Sequence, residues 1–117
     1  MKQWNRKTGM LAEELAVREL ENQGYCILKR NFCNKYGEID IIAKDKHVTV
    51  FVEVKAKIGT DFGLPEEMIS KRKLEKIRNM ATIYTKGESI PCRIDVVAIV
   101  LNSAHEILRI THYQNVF

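Results

Sequence analysis

No stretch of this chain is long and apolar enough to read as a membrane span. The start, Met1 to Arg6, is polar and leads into a helical pattern, without the apolar core and cleavage site of a secretory signal. A cytoplasmic location is the expectation. Cys26, Cys33 and Cys92 form no Cys-x-x-Cys pair, and the three histidines do not cluster with them. That argues against a structural zinc site and against a disulfide framework, leaving free thiols. Repeats and low-complexity tracts are missing too. What remains is 117 residues, 45% hydrophobic and 29% charged, which suits one soluble domain over 1–117 with a single core. The net charge of +4 permits a polyanionic partner without requiring one.

The most informative stretch is Gly37-Glu38-Ile39-Asp40-Ile41-Ile42-Ala43, a polar break over Lys44-Asp45-Lys46-His47, then Val48 to Lys55. Two β-branched runs around a polar break predict an antiparallel hairpin. Asp40, Glu53 and Lys55 interrupt runs that are otherwise apolar, and burying such charges without partners is costly. Side chains alternate along a strand, so Glu53 and Lys55 share one face. With the turn centred near Asp45 and Lys46, Asp40 lies opposite Phe51 and diagonal to Glu53. That diagonal, about 7–8 Å between backbones, lets two carboxylates share one ion. Two acids and a lysine suit metal-assisted phosphodiester hydrolysis: hard oxygens hold Mg²⁺, and a lysine orients water or offsets developing charge. The competing reading is a solvated or salt-bridged Glu-x-Lys strand face.

Upstream, the spacing predicts a helix from Thr8 to Gln23, stopped by Gly24. Glu13 borders its apolar arc of Leu11, Leu15, Ala12, Ala16 and Leu20, either as a further carboxylate for the same patch or as an ordinary surface glutamate. A strand over Tyr25 to Phe32 and a polar loop over Asn31 to Tyr36 follow. Glu38 shares the parity of Asp40, as a ligand or as a solvated strand end.

Downstream, Ala56 to Leu64 reads as a loop. A second helix is expected from Pro65 to Tyr84, with Met68 or Ile69, Leu74, Ile77, Met80, Ala81 and Tyr84 inside. Lys71, Arg72, Lys73, Lys76 and Arg78 give it a basic outer face, for phosphate contacts or merely for solvation. Cys92 to Leu101 reads as a strand covered on both sides, with Asp95 paired structurally to Arg93 or a lysine. A turn over Asn102 to His105 leads to a last strand, Ile107 to Tyr113. The order predicts an α/β domain, a central mixed sheet flanked by helices.

With these residues in place, Gly37-Glu38-Ile39-Asp40 followed by Phe51-Val52-Glu53-Val54-Lys55 resembles the signature of the YraN-like family of small bacterial proteins. These in turn resemble restriction-endonuclease-like nucleases, particularly archaeal Holliday junction resolvases. Gly9, Glu13, Ala16, Gly24-Tyr25, Arg30-Asn31, Phe62-Gly63, Pro65, Lys73, Ala81, Tyr84, Arg93 to Val97, His112, Asn115 and Phe117 fit in order. The resemblance implies a restriction-endonuclease-like fold, Asp40 and Glu53 as metal-binding carboxylates, Lys55 as catalytic lysine and Glu13 as a helical acid completing the site. Ala12, Ala56-Lys57 and Val116 depart from the family's usual glycine, threonine-arginine and alanine. Lys57 in particular weakens any inference of bidentate phosphate recognition.

The function expected is therefore a Mg²⁺- or Mn²⁺-dependent endonuclease on DNA, ahead of RNA, with branched or structured DNA as substrate. Lys57, Lys71, Arg72, Lys73 and Lys76 would carry the nucleic acid. Paired cuts would suit a homodimer. Two rivals stay open: a non-catalytic nucleic-acid-binding module, and a protein-interaction adaptor whose basic helix is only a solvated face.

Overall fold

The structure is a computed structural model describing residues 6–59 and 63–116. The expectations on Met1 to Asn5, on the middle of the Gly59 to Gly63 loop including Phe62, and on Phe117 lie outside the described residues, as does the side chain of Met68. The chain runs α1 (Arg6–Asn22), β1 (Cys26–Asn34), β2 (Gly37–Asp45), β3 (Val48–Ile58), a 3₁₀ turn (Pro65–Met68), α2 (Lys71–Tyr84), β4 (Cys92–Leu101) and β5 (Ile107–Tyr113). One five-stranded sheet holds them in the order β1-β2-β3-β4-β5. Only β3 and β4 are parallel, joined through α2; the other pairs are antiparallel. This is the α/β, mixed-sheet architecture of a restriction-endonuclease-like domain. Among the described residues no helix is long and apolar enough to cross a membrane.

The two faces of the sheet bury different helices. Under α1, Ala12, Ala16 and Leu20 pack on Ile41, Ala43, Val50, Val52, Val54, Val97 and Ile99. On the other face Ile77, Met80 and Ala81 of α2 cover Ile39, Ile42, Phe51 and Ile94. Because β4 is covered on both sides, it is buried without interruption from Ile94 to Leu101.

Four local expectations are corrected. The polar loop over Asn31 to Tyr36 is only a turn at Lys35 and Tyr36, because β1 runs on to Asn34, which pairs with Gly37. The second helix is not continuous from Pro65: Ile69 and Ser70 are extended, and the Ser70 hydroxyl accepts the Lys73 N–H at 3.1 Å, capping a fresh start at Lys71. A serine that can satisfy an orphan helix donor favours this position over a helix interior. Residues 56–58 extend β3 rather than opening a loop, because Ala56, Lys57 and Ile58 pair with Ile99, Val100 and Leu101 of β4. The β2–β3 register also differs. Asp45 pairs with Val48, so Lys46 and His47 make the turn, and Lys46 adopts φ +57 without being glycine. The pairing is thus shifted by two residues, Ile42 facing Phe51. Within the paired stretch from Ile41 to Asp45, a two-residue shift keeps side chains on their expected faces.

Phe51 is fully buried, edge-on to Tyr84 with ring centroids 5.8 Å apart. Phe51→Ala is expected to destabilise the fold by about 3–5 kcal/mol in urea unfolding, whereas Leu28→Ala, on the exposed edge of β1, should cost little.

Candidate active site at the β2–β3 fork

The ladder between β2 and β3 runs from Asp45↔Val48 to Ile41↔Val52. Beyond it, β2 continues beside β1 as far as Gly37, and β3 continues beside β4 as far as Ile58. The strands fork, and Asp40 stands at the fork. Alternation in β2 breaks there: Ile39 packs under α2 with Ile42, whereas Ile41 packs under α1. In a regular strand residues two apart share a face. The β1 ladder skips the same place, passing from Arg30↔Ile41 to Phe32↔Ile39, with Asn31 at φ +53.

A strand leaving its ladder exposes an amide that needs an acceptor. Asp40 supplies it, its Oδ2 taking the Val54 N–H at 2.8 Å. The carboxylate is thereby fixed against the backbone of β3 beside Glu53. Asp40 and Glu53 are each only 1% exposed. Lys73 approaches Glu53 Oε2 with its ammonium at 3.6 Å, a loose ion pair rather than a direct hydrogen bond. Lys55 is half-buried, two residues along β3 on the Glu53 face, and Lys57 follows with the same parity, also half-buried.

Glu13 of α1 completes the acidic surroundings. It is half-buried and accepts a hydrogen bond from Asn31 Nδ2 at 3.3 Å. Burial and then the negative charge of Asp40 push its carboxyl above the ordinary glutamate value, with Glu38 adding a smaller push. Helix α1 and strand β2 therefore bring Glu13, Asp40 and Glu38 within electrostatic reach of one another.

The chemistry of this donor set can be compared with the metals it would suit. Carboxylate oxygens from Asp40 and Glu53 are hard ligands, appropriate to Mg²⁺ or Mn²⁺ and not to a thiolate-seeking metal. Among the described residues no three His, Cys, Asp or Glu side chains form a preassembled cage. An ion here would complete its shell with water and phosphate oxygens, as Mg²⁺ characteristically does. The residues fit an open site of that kind.

Of the cationic residues expected to carry nucleic acid, Lys71, Arg72 and Lys76 are exposed on α2. Lys73 instead turns toward Glu53, a role the basic-stripe reading missed. Its partner Glu53 lies on β3, and helical periodicity carries no signal for such a long-range pair.

A second polar centre, at the start of β4, is structural. Asp95 is fully buried; its Oδ1 accepts from Arg93 Nε and the Asn115 N–H, both at 3.0 Å. Its Oδ2 accepts from His112 Nε2 at 2.7 Å and from the Tyr25 hydroxyl at 3.3 Å. Arg93 also reaches Asp45 at 3.0 Å and the Tyr25 hydroxyl. The expected Asp95–Arg93 pair is present; His112 and Tyr25 were not anticipated. Burial would raise the Asp95 carboxyl, but hydrogen bonds from His112, Asn115 and Arg93 outweigh it and hold it below the usual aspartate value.

Residues 12–99 match a family described as "Uncharacterised protein family UPF0102". That span includes Glu13, Asp40, Glu53, Lys55 and Asp95. A UPF0102 protein of Pelotomaculum thermopropionicum is 39% identical over 112 residues, covering 93% of either chain. One from Dictyoglomus turgidum is 36% identical over 116 residues, covering 97% of this chain and 98% of its own. One from Clostridium botulinum reaches 41% over 117 residues, covering 97% and 95%.

The Asp95 centre generates a prediction about pH. A carboxyl whose pKa is depressed on folding contributes stability above its unfolded value, near 4, and that contribution is lost as pH falls through the folded value. Asp95→Asn should therefore cost about 3 kcal/mol at neutral pH, the scale of a broken buried pair. The gap from wild type should narrow in acid, as followed by thermal unfolding across pH.

Proposed function

We propose, for a chain that belongs to the UPF0102, or YraN-like, family, that it is a Mg²⁺- or Mn²⁺-dependent endonuclease hydrolysing phosphodiester bonds of DNA, with branched or structured DNA as substrate. The observation that carries this reading is the fork itself: Asp40 anchored to the Val54 amide at 2.8 Å, next to a Glu53 that is 1% exposed. Burying two carboxylates side by side costs folding free energy that their partners, the Val54 amide and a loosely placed Lys73, offset only in part, which favours a functional reason for keeping them.

In this reading Asp40 and Glu53 hold the ion, and Glu13 completes the set of acids. The ion, when bound, would lower the pKa of a water and offset charge on the phosphate. Lys55, on the Glu53 face of β3, would orient the attacking water or stabilise the oxyanion of the transition state. Glu13, whose carboxyl is raised above the ordinary glutamate value by burial and by the charge of Asp40, would be the third acid beside them. Lys57 and the exposed Lys71, Arg72 and Lys76 would bear the phosphate backbone, which positions DNA without reading its sequence. Paired cuts in a branched substrate would require a two-fold dimer.

One observation favours a second reading. Lys73 already approaches Glu53 at 3.6 Å, partly neutralising the charge that an ion would take up. A non-catalytic nucleic-acid-binding module of the same fold would look like this, with salt-sensitive retention of DNA and no turnover.

The test must separate chemistry from folding. Asp40→Ala would remove the hydrogen bond that Asp40 Oδ2 accepts from the Val54 N–H, at about 1–3 kcal/mol, so Asp40→Asn and Glu53→Gln are the informative variants. Purified wild type should cleave a four-way junction in Mg²⁺ or Mn²⁺. Both variants should fall by about a hundredfold or more, since a bound ion supplies several kcal/mol, while their unfolding temperatures stay close to wild type. Undiminished cleavage in either variant overturns the mechanism; junction binding without cleavage by wild type selects the second reading.

A further inference from the structure

The turn between β1 and β2 faces the outer side of α2 across an open groove of about 420 Å³, lined by Tyr36, Lys76, Asn79, Thr82 and Ile83. Its lining combines apolar and polar groups. Tyr36 is 61% exposed and Ile83 is 42% exposed, so an aromatic ring and an aliphatic side chain are both left to water at one place. The tyrosine is not on a loose loop: the Tyr36 N–H donates to Asn34 Oδ1 at 2.8 Å, and Gly37 follows at φ +152. Lys76, Asn79 and Ile83, spaced three and four residues apart, form one stripe of α2, while Ile77, Met80 and Ala81 form the buried one.

Charge and position narrow the occupant. The Lys35 ammonium lies 5.2 Å from the centre of the Tyr36 ring, and Lys76 supplies a second cation. A flat π surface, an aliphatic wall, an amide and two ammonium groups match a nucleobase with its flanking phosphates. The base would stack on the ring, present its edge to Asn79 and leave its phosphates to the lysines. The groove also adjoins the fork. Tyr36 lies four residues before Asp40, about 13 Å along a strand. Lys76 is one helical turn beyond Lys73, whose ammonium reaches Glu53.

We infer that the Tyr36–α2 groove is a nucleobase site that takes an unpaired base a short distance along the strand from the phosphate at the fork. This deepens the nuclease reading and rests on its nucleic-acid part, though not on catalysis. Bases in a duplex have their faces covered by neighbours, so the groove selects DNA with single-stranded character beside the scissile bond.

The test is fluorescence anisotropy with labelled oligothymidylate and with a blunt duplex of equal length, both in EDTA at fixed salt. Tyr36→Ala should weaken binding of the single strand about tenfold, the scale of one lost stacking partner, and leave duplex binding unchanged. Tyr36→Phe should retain wild-type affinity, since the ring and not the hydroxyl does the stacking. Equal losses on both probes, or no loss on the single strand, overturn the inference, as does wild type that binds neither. A protein that cleaves nothing yet shows the selective Tyr36→Ala loss refutes the nuclease alone. An active nuclease with unchanged Tyr36→Ala binding refutes the base site alone.

Discussion

The hydrogen bond between Asp40 and the Val54 amide is the interaction on which the site depends. A mixed sheet of this size could have kept β2 and β3 paired to their ends. Here the pairing stops at Ile41↔Val52, and the amide released from the ladder is satisfied by a side chain at 2.8 Å. One carboxylate oxygen thus does the work of a backbone carbonyl. The exchange lets the strands part without leaving Val54 unsatisfied, and it fixes the orientation of the carboxylate far better than a surface rotamer would. Glu53, at 1% exposure on the adjoining residue, inherits the same rigidity from β4. A site built on strands in this way is positioned by the fold rather than by a loop.

The rest of the sheet closes around the opposite problem. Asp95 is buried completely, and four neighbours converge on its two oxygens: Arg93 two residues before it on β4 and, from farther along the chain, Tyr25 after α1, His112 on β5 and the Asn115 amide. Those contacts tie α1, β4 and β5 into one body, and Arg93 extends the tie to Asp45 at the end of β2. A buried charge with so many donors is costly to make and costly to break. It holds the frame within which the fork stays open.

Much of this frame was legible in the sequence, for identifiable reasons. The bounds of β4 and β5, Cys92–Leu101 and Ile107–Tyr113, follow from an uninterrupted apolar run and a clear turn. Asp40 and Glu53 stood out because charges inside apolar runs demand an explanation. The hairpin register did not follow, because Lys44-Asp45-Lys46-His47 contains no glycine or asparagine to say which two residues turn, and Lys46 adopts φ +57 regardless. The shift by two preserved parity, so face assignments within the paired stretch were insensitive to the error. The break in alternation at Asp40 depends on strands on both sides, and no local pattern encodes it. The same holds for Lys73, whose partner Glu53 is twenty residues away in sequence, and for the convergence of Tyr25 and His112 on Asp95. Long-range polar partners are decided by tertiary packing, which periodicity cannot report.

The central claim is that the fork gathers Asp40 and Glu53 to hold a divalent cation. It is tested most directly by calorimetric titration of Mn²⁺ into the wild-type protein and into Glu53→Gln, each with a four-way DNA junction present. The account predicts a saturable site in the wild type that is lost or severely weakened in the variant, with DNA retained by both. Equal Mn²⁺ binding in the two proteins would contradict it, as would a wild type that holds the junction and takes up no ion.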